Sequence, residues 1–210
     1  MNELLIFDLD DTIFETKSIN KKSVKPIFDK LNVLLLKRFG KEIAEQIIPE
    51  LWKYPFDFVA QKYEFGNHLN SEFTRIINED EYEFNIKPFE DFKLIQNLKQ
   101  EKILVTTGFS NLQNAKIRDL KIEKNFSEIY IDEIFDPERI LKKGIFNQIL
   151  LKKKIDPKSV YIIGDNPNSE LKSGFELGLN TIQVSKFGQE KSKYSDYCIS
   201  DYSELIKLLK

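Results

Sequence analysis

The sequence predicts an α/β fold: a doubly wound, Rossmann-like parallel sheet core into which a small α-helical domain is inserted. Three observations predict it. Short apolar runs recur at residues 4–7, 103–105, 129–131, 160–163 and 181–184, with the length and β-branched content of strands buried on both faces. From residue 88 onward, helical spacing of apolar residues fills the intervals between runs, so strand and helix alternate as in a parallel sheet with helical crossovers. Residues 16–87 show helical spacing alone, over a stretch far longer than an ordinary connection.

Taken in order, Leu4-Leu5-Ile6-Phe7 is the first strand, and it stops at Asp8. In the insert, Val24, Ile27, Phe28, Leu31, Leu34 and Leu35 share one helical face. So do Ile43, Ile47, Ile48 and Leu51, then Val59, Ala60 and Tyr63, then Leu69, Phe73, Ile76 and Ile77. That makes four helices and no clear strand. The joints fall near residues 16–18 and 85–88, dividing the chain into a discontinuous core, 1–15 and 88–210, and a helical domain, 16–87. Beyond the insert, Phe92, Ile95 and Leu98 mark a helix before the second strand, and residues 112–120 one after it. Ile145, Ile149 and Leu150 mark a helix before the fourth strand. Residues 169–177 form another, closed by Gly178, where helices commonly stop. Tyr197-Cys198-Ile199 alternates like a short edge strand, with Cys198 as a small core residue. Trp52, Tyr54 and Phe56 are expected in the core of the insert, and His68 at its surface or in its packing.

Composition narrows the chemistry. The 210 residues suffice for one full core plus an insert. With 32 basic against 34 acidic residues the chain has no overall cationic field, so nucleic acid is not an expected partner. One cysteine excludes an internal disulfide, and one cysteine with one histidine excludes a Cys/His zinc site. The N-terminal apolar run is too short for a signal peptide, and no run approaches about 18 apolar residues. A soluble, cytoplasmic protein with no membrane partner, monomeric or homodimeric, is therefore expected. Catalysis falls to carboxylates, lysine, serine or threonine.

Ligands bind open parallel sheets beyond the carboxyl ends of the strands. Here the first strand ends in Asp8-Leu9-Asp10-Asp11-Thr12, the second in Thr106-Thr107-Gly108, and the fourth in Gly164-Asp165, with Glu170 five residues on. Acids clustered on one edge repel one another unless a cation or proton offsets them, and oxygen-only ligands select a hard ion such as Mg²⁺. Asp8 and Asp165 are the natural pair. A carboxylate held against such an ion can attack phosphorus, and Asp10, two residues on, can protonate the leaving oxygen and then activate water. Thr106, with Gly108 and the free amides of a helix starting near Ser110 or Asn111, offers donors for a phosphoryl group. Lys142 and Lys143 offer positive charge.

These four pieces resemble the four sequence motifs of the haloacid dehalogenase superfamily of phosphotransferases. The motifs are Leu5-Ile6-Phe7-Asp8-Leu9-Asp10-Asp11-Thr12, Leu104-Val105-Thr106-Thr107-Gly108, a lysine at 142 or 143, and Ile162-Ile163-Gly164-Asp165-Asn166-Pro167-Asn168-Ser169-Glu170. The core pattern covers residues 1–15 and 88–210, and residues 16–87 look like the helical cap that the family inserts after the first motif. The resemblance implies Asp8 as nucleophile and metal ligand, and Asp10 as general acid/base with its carbonyl on Mg²⁺. It implies Thr106 as a phosphate binder, with Thr107 and Gly108 beside it, Asp165 as a metal ligand, and Glu170 reaching the metal through water or pairing with the lysine. The family's usual Lys-Pro sequence is absent, and of the two lysines Lys143 is the expected one.

The expected activity is Mg²⁺-dependent hydrolysis of a small phosphorylated metabolite, a phosphate monoester, through an aspartyl phosphate on Asp8. A phosphomutase keeps both aspartates and remains open. A haloacid dehalogenase uses the same nucleophile but lacks the second acid, so Asp10 argues against it. A catalytically silent phosphate-binding or regulatory module, as in receiver domains, is the reading from a different class. Receivers are about half as long and carry their phosphoacceptor on a middle strand.

Overall fold

The structure, a computed structural model, describes residues 3–209. All four residues of β1 (Leu4–Phe7) are buried, Leu5 and Phe7 on one face of the sheet and Leu4 and Ile6 on the other. β2 (Glu101–Gly108), β3 (Glu128–Glu133), β4 (Val160–Gly164), β5 (Asn180–Val184) and β6 (Tyr197–Ile199) complete a parallel sheet of order β3-β2-β1-β4-β5-β6. The chain steps outward from β1 to β3, returns to β4, and steps out the other way. That reversal puts the topological switch point between β1 and β4, whose register pairs Phe7 with Ile163.

Four helices lie within residues 16–87: α1 (Lys21–Phe39), α2 (Lys41–Lys53), α3 (Phe56–Lys62) and α4 (Gly66–Glu79). Then come α5 (Phe92–Gln96), α6 (Ser110–Leu120), α7 (Leu141–Lys153), α8 (Glu170–Glu176) and α9 (Tyr202–Leu208). One sheet face buries Leu4, Ile6, Val105 and Ile162 against Ile145, Phe146 and Ile149 of α7. The other buries Leu5, Phe7, Leu104 and Ile163 against residues of α5, α6 and α9, and this cluster runs on into Ile27, Leu31, Val59 and Phe73 of the insert. Each such side chain fully buried contributes about 1.5–3 kcal/mol. Helix α8 lies close on the sheet because residue 174 is glycine: a Cβ there would stand 2.7 Å from Ile162 Cγ1. Among the described residues no helix is long and apolar enough to cross a membrane.

Four expectations change. β2 runs on to Gly108, since Thr106, Thr107 and Gly108 pair with Ile131, Asp132 and Glu133. β3 is not buried on both faces; it is the outermost strand, and Ile129 is 36% exposed. Trp52 and Tyr54 lie at the surface of the insert, Trp52 stacked on Phe28 at 3.8 Å, and Cys198 is only half-buried because β6 is an edge strand.

Candidate active site

The Asp8 amide donates to Ile163 O at 2.9 Å, so the β1–β4 ladder carries one residue past the strand and delivers Asp8 to the switch point. The Asp8 carboxylate is buried there, and Lys142 Nζ donates to its Oδ1 at 2.6 Å. The same ammonium donates to Glu170 Oε2 at 2.8 Å, while Glu170 Oε1 accepts from the Asn166 amide at 2.7 Å. Gly164 makes room for this, because a Cβ there would collide with Glu170 Cγ and Oε1. Asp165 stands next to the group, and Thr12 Oγ1 donates to its Oδ1 at 3.4 Å. Asp8, Asp165 and Glu170 each bring a carboxylate oxygen to within 4.8 Å of the others.

Three carboxyls and one lysine do not balance. Burial pushes the Asp8 carboxyl up to about 7, with Lys142 pulling the other way and Glu170 adding to the rise. Burial, then the neighbouring Asp8, Glu170 and Asp11, push Asp165 up to about 8. Burial works against the Lys142 charge, yet Asp8 and Glu170 overcome it and hold the ammonium above its ordinary range. Such a group is relieved by a second cation, and an all-oxygen donor set is the chemistry of a hard divalent ion.

A second group surrounds Asp10. Its Oδ1 accepts from Lys116 Nζ at 2.7 Å and its Oδ2 from Gln113 Nε2 at 2.9 Å; the Thr16 hydroxyl lies 3.5 Å from Oδ1. Gln113 Nε2 also donates to Thr106 Oγ1 at 2.6 Å, which joins the ends of β1 and β2. Neither Gln113 nor Lys116 stands out in the motifs. Their signal is periodicity: with Ile117 and Leu120 they fall at the spacing of the buried stripe of α6, where two polar side chains have no packing reason to be.

The lysine expectation is corrected. Lys142 reaches Asp8, whereas Lys143 lies on the outside of α7, half-exposed, with its Nζ 2.6 Å from Glu176 Oε2. The reason is helix phase: Lys142, Ile145, Phe146 and Ile149 form the buried stripe of α7, and one residue further turns the side chain about 100° away. The donors expected around Thr106 are also partly committed. The Thr107 hydroxyl donates to Asp132 Oδ2 at 2.9 Å. Gly108 leaves space for Gln113, whose Cγ and Cδ would lie 2.9 Å from a Cβ. The first amides of α6 are not free: Ser110 N donates to Glu133 Oε2 at 2.6 Å and Asn111 N to Asn78 Oδ1 at 3.0 Å.

A family profile described as haloacid dehalogenase-like hydrolase matches residues 5–184, which carry all of these groups. The chain belongs to that family. This haloacid dehalogenase-like hydrolase is 26% identical over 196 residues to the HAD-hydrolase YfnB of Bacillus subtilis, covering 84% of this chain and 81% of YfnB. The crystal structure of YfnB, bound to magnesium and described as revealing interdomain movement, superposes with a TM-score of 0.66 at 21% identity, covering 100% and 99% of the two chains. Glyceraldehyde 3-phosphate phosphatase of Methanocaldococcus jannaschii is 23% identical over 228 residues, covering 98% of this chain and 96% of that protein. L-2-haloacid dehalogenase from Xanthobacter autotrophicus shares the fold at a TM-score of 0.61 and 12% identity, covering 100% and 98%.

Proposed function

We propose that this hydrolase is a Mg²⁺-dependent phosphatase of a small phosphate monoester, working through an aspartyl phosphate on Asp8. The observation that carries this reading is Asp8 in the grip of Lys142 at 2.6 Å, inside a cluster that Asp165 and Glu170 complete. Asp8, Asp165 and the Asp10 carbonyl would hold the metal, with Glu170 beside them orienting Lys142. Bound there, the ion offsets the repulsion between the carboxylate nucleophile and an anionic substrate. Asp8 attacks phosphorus, the bond from phosphorus to the leaving oxygen breaks, and Asp10 protonates that oxygen. Water then attacks the aspartyl phosphate, its proton passes to Asp10, and the bond from phosphorus to Asp8 breaks to release phosphate. Thr106 and Lys142 donate to the phosphoryl oxygens as charge develops on them, and Thr107 and Gly108 shape that rim.

Residues 16–87 serve as a cap that covers the site and reads the leaving group. Support comes from contacts to the core beside the second motif: Phe56 edge-on to Phe109 at 5.3 Å, and Asp57 Oδ2 2.9 Å from Arg139 Nη1. The interdomain movement described for YfnB fits a cap that opens for release. The substrate is a small phosphorylated metabolite, and the archaeal relative's name makes a triose phosphate the first compound to try. Asp10 weighs against the dehalogenase reading, since carbon–halogen cleavage leaves no alkoxide to protonate.

Turnover of p-nitrophenyl phosphate and of a phosphometabolite panel tests the proposal. Asp8→Asn abolishes turnover and EDTA silences the wild type. Activity that survives either change, or metal-independent halide release from a haloacid, overturns it.

A further inference from the structure

We infer that Lys116 and Gln113 are positioning residues that aim Asp10 for the second half of the reaction; this rests on the reading of Asp10 as general acid/base. Each Asp10 oxygen has its own donor from α6, Lys116 Nζ at 2.7 Å on Oδ1 and Gln113 Nε2 at 2.9 Å on Oδ2. Two donors three residues apart on one helix leave the carboxylate no freedom to rotate. The arrangement is built rather than incidental. The Gln113 side chain is fully enclosed, and residue 108 must be glycine to admit it. The Lys116 side chain is 9% exposed while Asp10 remains 28% exposed, so the lysine is the more deeply buried partner. Burying an ammonium for one ion pair yields little net stability, which leaves orientation of Asp10 as its use.

Gln113 does a second thing with the same amide nitrogen. It donates to Thr106 Oγ1 at 2.6 Å, so this hydroxyl accepts from the helix and keeps its own proton for a phosphoryl oxygen. The phosphate donor and the proton-transfer group are thereby held at a constant separation by one side chain. In both α6 contacts Asp10 is the acceptor, the state in which a carboxylate takes a proton from the water attacking the aspartyl phosphate.

Pre-steady-state hydrolysis of p-nitrophenyl phosphate by the Mg²⁺-loaded enzyme separates the halves. Its leaving group departs with little help from an acid, so nitrophenol release in the first turnover reports attack by Asp8, and the steady state reports the water step. In Lys116→Met the first-turnover rate stays within about threefold of wild type while the steady-state rate falls about tenfold or more, the low end of a general-base contribution. A burst approaching one nitrophenol per active site appears, and acid-quenched protein carries phosphate. Lys116→Arg, which keeps a donor to Asp10, restores the steady state. Two phases that fall in proportion, or no change in either, overturn the inference. If Lys116→Met does not fold, the same split decides on Gln113→Leu, with a rise in the substrate concentration that half-saturates the first-turnover rate added because Thr106 loses its partner. Asp10→Asn separates the two claims: if it leaves the steady state intact, the role of Asp10 fails; if it stalls the steady state while Lys116→Met does not, only the positioning role fails.

Discussion

Two groups of buried charge sit at strand ends of the same sheet, and they are built on opposite terms. At the end of β3, Arg139 clasps Asp132 with Nε on Oδ1 and Nη2 on Oδ2, both at 2.7 Å. Thr107 donates a third hydrogen bond to Asp132, and the remaining arm of Arg139 reaches the partly exposed Asp57. Every polar atom of the clasp has a partner, and the geometry is the planar fork that matches a carboxylate. At the switch point, one lysine serves Asp8 and Glu170 together, while Asp165 beside them has no ion-pair partner of its own among the described residues. A satisfied cluster stabilises an arrangement; an unbalanced one, in which burial holds Asp8 and Asp165 well above the usual carboxylate range, is relieved by a further cation.

The largest test of this contrast is Lys142→Met beside Lys143→Met. Losing Lys142 lowers kcat by about 10²–10³-fold, as for removal of one donor to a developing oxyanion. It also destabilises the fold by about 3–5 kcal/mol at pH 8, because buried carboxylates lose their cation. Lys143→Met stays within about 0.5 kcal/mol on urea denaturation, its partner Glu176 being at the surface. Equal effects of the two variants break the assignment. Arg139→Met comes next: it strands the buried Asp132 and costs about 3–5 kcal/mol, yet the folded fraction keeps its kcat. A drop in kcat comparable to that of Lys142→Met would place the clasp in the chemistry.

The third test is pH. With metal chelated, folded Asp8 and Asp165 hold their protons up to about 7 and 8, whereas in the unfolded chain they titrate near 3.8. Between those limits the folded chain binds more protons, so this contribution to stability is full below about pH 4 and is lost as pH rises through 7 and 8. In EDTA, Tm falls from pH 6 to pH 9, the fall is shallower in Asp165→Asn, and Mg²⁺ restores Tm at the alkaline end. A wild-type slope no steeper than that of Asp165→Asn removes the imbalance from the account. Smallest is Asp57→Ala, at about 0.2–1 kcal/mol by denaturation, since Asp57 is 36% exposed and solvent takes its place on Arg139.

Much of the fold was legible because its signals are local. The apolar run at Leu4–Phe7, ending in Asp8, specifies a buried strand and the group that leaves it, and the five core runs and four insert patterns appear as strands and helices. Cys198 and Ile129 are more exposed than their strand patterns predict because an apolar residue in such a pattern does not say whether the strand lies at the sheet edge. Gln113 and Lys116 stayed hidden because polar residues on a helix are ordinarily solvated, and only their phase against Ile117 and Leu120 tells otherwise.

By itself, the sequence determined which chemistry was available: carboxylates at the ends of β1 and β4, a threonine at the end of β2, and too little histidine or cysteine for anything else. Those follow from residue type and from periods of two and 3.6 residues, which neighbours in the chain set. Tertiary structure decided which lysine meets Asp8, across 134 positions of sequence, and which helix holds Asp10. Such pairings depend on the rotation of α6 and α7 about their own axes against the sheet, a rotation set by packing of the whole buried stripe.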